Sequence, residues 1–109
     1  MTVEAFVKST DFKTVCMPSP EKEIDGAYVG DLLSWVMGKA DSGNVWITIM
    51  SNINIVAVAT LTDASCIVLA EGVMPDQDAL KAAEMKGINI LSTNLSAYEA
   101  VLAVSRIIK

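Results

Sequence analysis

A chain of 109 residues with a net charge of −5 and 52% hydrophobic residues has the size of one domain and enough apolar side chains for a real core. It carries no basic run, which argues against nucleic acid or an anionic membrane surface as partner, since both need clustered Lys and Arg. Histidine is absent, and Cys16 and Cys66 fit no CxxC or metal-ligand spacing, so no metal and no cofactor is expected and nucleophilic catalysis lacks its usual base.

Thr2 to Ser9 is predicted as a short helix capped by Thr2, with Val3, Phe6 and Val7 on one face. Asp11 to Pro18 is predicted as a strand with Val15 and Met17 inward, broken by Pro18-Ser19-Pro20. The polar EKEIDG that follows reads as an exposed loop. The first twenty residues lack a signal peptide's basic start and apolar core, and the cysteines look reduced, so the expectation is a cytoplasmic protein.

Gly26 to Val29 is predicted as a short extended segment, with Asp31 as N-cap of the helix LLSWVM. Leu32, Leu33, Val36 and Met37 form that helix's expected buried stripe, and Trp35 lies near its edge. VWITIM reads as a strand buried on both faces. Ile53 to Leu61 is locally ambiguous, alternating alanine with β-branched residues; helix is chosen because parallel pairing of VWITIM with CIVLA needs a crossover. The charge-free stretch between Asp41 and Asp63 is long enough to raise a membrane span, but Ser51, Asn52 and Asn54 interrupt it, and none is expected.

CIVLA is the next predicted strand. A helix follows from Pro75-Asp76 to about Lys86, with Leu80, Ala83 and Met85 as contacts and Gly87 as its stop. INILS is the last strand. Ser96 and Glu99 form a capping box for the final helix, and Arg106 and Lys109 fall in its last turn. The alternation implies an α/β fold: a three-layer α/β/α sandwich with a mostly parallel central sheet in one domain, residues 1–109.

In such a sheet, ligands sit outside the carboxyl ends of the strands. That edge collects Gly30-Asp31, Ser51-Asn52-Asn54, Glu71-Gly72 and Ser92-Thr93-Asn94, a rim able to hold a phosphate or carboxylate. The same residues equally serve as caps and turns in any α/β domain. Neither GxxxxGK[ST] nor GxGxxG is present; Gly38-Lys39-Ala40 fails at the hydroxyl. Asp25, Asp31, Asp63 and Glu71 show no spacing that pairs two carboxylates for acid–base work, and Lys39, Lys81 and Lys86 read as surface charges. Tyr28, Trp35 and Trp46 are core residues or candidate subunit-interface residues.

GAYVGDLLSWVM, WITI with NIVAVA, IVLAEG-x-x-P-D and INILSTNLSAYE together resemble the DRTGG domain in order and spacing, over nearly the whole chain. The resemblance implies the α/β sandwich of the N-terminal domain of HPr kinase/phosphorylase. It implies a regulatory rather than catalytic role, because in larger relatives such as phosphate acetyltransferases and CBS-containing pyrophosphatases the chemistry belongs to other domains. Gly26, Gly30, Asp31, Thr48, Gly72 and Thr93 are the positions it marks. Many relatives have two glycines where this chain has Glu71-Gly72, and the glutamate puts negative charge on the rim. With no companion domain in this sequence, the regulated partner is expected to be a separate protein or a second copy in a homodimer.

The expected function is therefore a non-enzymatic, ligand-sensing module. Its effector would be an adenine nucleotide or small anionic metabolite held by Gly30, Asp31, Thr48, Asn52, Asn54, Gly72 and Thr93. The alternative is an interaction or scaffolding subunit without a small ligand.

Overall fold

The computed structural model describes residues 1–108, so the expected place of Lys109 lies outside the described residues. The chain runs α1 (Val3–Lys8), β1 (Lys13–Cys16), β2 (Ala27–Val29), α2 (Leu33–Lys39), β3 (Val45–Thr48), α3 (Asn54–Thr62), β4 (Cys66–Leu69), α4 (Gln77–Lys86), β5 (Ile90–Ser92) and α5 (Ala97–Ser105). The strands form one sheet in the order β1-β5-β4-β3-β2. Neighbours from β2 to β5 pair parallel, and β1 alone among the described strands runs antiparallel, against β5.

Strand alternation sorts the core into two layers. Trp46, Ile67, Leu69 and Ile90 pack with Val36 of α2, Ile55 and Val58 of α3 and Ala79 and Ala83 of α4. Val45, Ile47, Cys66, Val68 and Leu91 pack on the opposite face with Val3 and Phe6 of α1 and Ala100 and Val104 of α5. This is the expected three-layer, mostly parallel sandwich. No helix among the described residues is long and apolar enough to cross a membrane.

The valine-rich segment is a helix, as parallel pairing of β3 with β4 demands. Its start is fixed by the Asn52 side chain, which accepts from the Asn54 N–H at 2.9 Å. Its end is fixed by Asp63, in the left-handed region at φ 56°. The capping box of α5 is present in both halves, and Arg106 is its C-cap.

Several local expectations are corrected. Asp31 does not cap α2: Leu32 is the N-cap, with no side-chain cap bond. The Asp31 carboxylate is instead turned onto the end of β3. Leu32 and Met37 are exposed, and Val36 is the buried residue of α2, because this short helix lies at the sheet's margin beside α3. Met85 is 87% exposed, and Ala79 with Ala83 supplies the close contact of α4, since small side chains let that helix sit near the sheet. Trp46 is 1% exposed, filling the core beneath α2 and α3, and so is unable to offer an interface surface. Trp35 is 57% exposed with the Lys39 ammonium 4.3 Å from its ring centroid, and Tyr28 is half-buried.

Candidate functional site

The carboxyl end of the sheet carries two polar clusters of different character. The first joins the ends of β2 and β3. Thr48 donates its hydroxyl to Asp31 at 2.8 Å, and the Ile49 N–H donates to the same carboxylate oxygen at 3.0 Å. The Thr48 oxygen also accepts from the Met50 N–H at 3.3 Å. Beside them the Trp46 indole N–H donates to the Gly30 carbonyl at 3.0 Å. Gly30, Asp31 and Thr48 are thus brought together as predicted, but their bonds tie one strand end to the next.

The second cluster is a cleft of about 380 Å³ lined by Asp11, Lys13, Gly72, Met74, Ser92, Thr93, Asn94 and Leu95. Two turns build it. After β4 the chain takes left-handed conformations at Glu71 (φ 61°) and Gly72 (φ 72°), and their N–H groups donate to the carbonyls of Leu95 and Thr93 at 2.8 and 2.9 Å. After β5 the Thr93 N–H donates to Leu69 O at 2.9 Å, and the Thr93 hydroxyl accepts from the Leu95 N–H at 3.2 Å. These bonds stitch the two turns into one wall. The Glu71 side chain is not part of the lining, so the charge expected on the rim lies outside the cleft.

Lys13 and Asp11 reach this edge because β1 is antiparallel: its beginning lies against the end of β5, with Lys13 opposite Ser92. The sequence reading passed over Lys13, Asp11 and Met74. For Asp11 and Lys13 the only advance signal was charge at the start of a predicted strand whose direction was unknown, and Met74 carried none.

The remaining predicted positions lie apart. Asn52 and Asn54 make the turn into α3, where Asn54 borders a groove between α3 and α4. Gly26 sits at the opposite, amino end of β2, at φ 72°, where a Cβ would stand 3.2 Å from the Asn44 amide. Burial pushes the Cys66 thiol up to about 12 and also raises Cys16, so both stay protonated and buried. Among the described residues, His, Cys, Asp and Glu nowhere gather in a group of three or more able to hold a metal ion.

The fold and this edge define a three-layer α/β domain with a polar cleft beyond the carboxyl ends of a mostly parallel sheet. The chain belongs to the DRTGG domain family, whose model matches residues 29–107. No curated relative matches it. Among solved structures it is similar to the CBS and DRTGG domains of the regulatory region of Clostridium perfringens pyrophosphatase, complexed with the activator diadenosine tetraphosphate. That likeness has a TM-score of 0.73 at 13% identity, covering 94% of this chain and 45% of that one. At this identity it shows the shared fold.

Proposed function

We propose that this chain is a non-catalytic, ligand-sensing regulatory module whose effector, a nucleotide or other small anionic metabolite, occupies the cleft beyond β4 and β5. The observation that carries the reading is the cleft itself: a concave edge of the size ligands use, built where parallel sheets bind them and containing Gly72 and Thr93. The DRTGG family and the activator-bound pyrophosphatase region support a sensing role. The absence of reactive groups in its lining supports a role without chemistry, for the cleft holds neither a thiol nor a facing pair of carboxylates.

A thermal-shift screen with adenine mononucleotides, diadenosine tetraphosphate, acetyl phosphate and inorganic phosphate tests it. An effector raises Tm, increasingly with its concentration over its Kd, because it binds the folded chain and not the unfolded one. A flat response to every compound removes the reading.

The same proposal has the module acting as a homodimer, and the exposed edge of β2 supports this. Gly26 and Gly30 bond to β3, which turns the N–H and C=O of Ala27 and Val29 outward. The groove beside that edge is lined by Ala27, Tyr28, Val29, Ile47, Val101, Val104, Ser105 and Ile108, without a charge. Edge strands with free backbone groups pair readily with another strand. Sedimentation equilibrium should give a dimer that Val29→Lys converts to monomer; a monomeric wild type at micromolar concentration retires the homodimer. An interaction subunit for a separate protein is the reading left if the homodimer persists and no small ligand binds.

A further inference from the structure

We infer that the cleft takes a ligand with a single anionic head group, one phosphate or one carboxylate, seated between the Lys13 ammonium and the Ser92 hydroxyl with its apolar part against Met74 and Leu95. This rests on the ligand-sensing reading and narrows it.

Ser92 carries the argument. Its residue is only 7% exposed, yet its hydroxyl makes no hydrogen bond among the described residues. No fully buried side-chain oxygen or nitrogen of the described residues lacks a partner, so this hydroxyl keeps its remaining contact with the cleft it lines. Open to the cleft, this hydroxyl bonds to water or to a ligand group that replaces the water. Thr93, 9% exposed, uses its hydroxyl oxygen to accept from Leu95 and has its proton free to donate. Lys13 is the residue directly opposite Ser92 across the β1–β5 pair, so both side chains leave the same face of the sheet as neighbours. The Lys13 ammonium forms no ion pair among the described residues.

Charge sets the ligand class. Among the lining residues Lys13 is the one cation and Asp11 the one anion, in a chain of net charge −5. One ammonium and two hydroxyl protons match one oxyanion. Each further phosphate brings charge that no group in the cleft offsets, and the field of the whole chain opposes it. Asp11 supplies an acceptor for a hydroxyl or amino group on the ligand. Met74 and Leu95 give the apolar wall that ligand sites use for area.

Isothermal titration calorimetry on the full chain with AMP, ATP, diadenosine tetraphosphate, inorganic phosphate and a carboxylate series of amino acids tests this, alongside Lys13→Met and Ser92→Ala. Circular dichroism first verifies that both variants fold. Affinity should fall from AMP to ATP to the dinucleotide if the head group is a phosphate, and an amino acid should outbind AMP if it is a carboxylate. In either case Lys13→Met should weaken the best ligand by about tenfold or more, and Ser92→Ala by a smaller factor. Amide shifts of Ser92, Thr93 and Asn94 in NMR titrations should follow the same ligand. Tighter binding of the polyphosphates, or affinity unchanged in both variants, overturns this inference while leaving the sensing role standing. No binding of any probe overturns both.

Discussion

At the amino end of the sheet, Asn44, Ser65 and Asn89 are buried and their side chains are hydrogen-bonded into the fold. Asn44 donates to Asp25 O at 2.7 Å and accepts from the Asp41 N–H at 2.9 Å. Asn89 donates to the carbonyls of Ser19 and Ser65 and accepts from the Ser19 N–H at 2.9 Å, while Ser65 donates to Asn44 O at 3.0 Å. At the carboxyl end, Ser92 is buried to a similar degree, but among the described residues its hydroxyl has no hydrogen-bond partner and Lys13 beside it forms no ion pair. Residue type and burial do not separate these two ends. Counting hydrogen bonds does: the amino-end side chains are bonded into the fold, whereas the Ser92 hydroxyl has no partner among the described residues.

The sharpest way to break the comparison is Asn89→Ala. It strands the buried Ser65 carbonyl and unties the half-buried Ser19 carbonyl and N–H, and should cost about 2–4 kcal/mol in urea denaturation. A cost below about 1 kcal/mol would mean that the amino-end network is not closed. Thr48→Val tests the closed cluster at the other end. It removes the bond to Asp31 and the acceptor for Met50, and should cost about 1–2 kcal/mol.

A smaller effect is expected at Asp63, on the amino-end surface. The Ser42 hydroxyl, then Lys22, holds this carboxyl below the ordinary value of 3.8. A lowered folded pKa contributes stability that is present above the unfolded value and disappears as pH falls through the folded one. Asp63→Asn keeps the left-handed cap and should therefore be less stable than wild type at neutral pH, with the gap closing in acid. The side chain is 67% exposed, so the gap is small. Smallest of all are Ser92→Ala and Lys13→Met, expected within about 0.5 kcal/mol of wild type without ligand, because neither side chain bonds to any other described residue.

The layered architecture was legible because long apolar runs, glycine stops and the Ser96–Glu99 box are local signals. The α3 helix was legible through topology, since its own valines are ambiguous. What stayed hidden depends on partners far away in the chain. Asp31 has the residue type of a cap, and only the approach of Thr48 diverts it. Trp46 reads equally as core or interface until its indole N–H finds the Gly30 carbonyl. Gly72 and Thr93 were reachable as turn residues, whereas Lys13 needed the direction of β1, which no local pattern encodes.

That direction has a consequence for how the molecule assembles. The first strand of the sheet closes against β5, so Lys13 meets Ser92 only after β2, β3 and β4 have been made. During synthesis β2, β3 and β4 emerge before β5 and can pair with one another while the cleft still lacks Ser92. The lining of the cleft therefore depends on the pairing of greatest sequence separation in the sheet, the one whose closure costs the most chain entropy.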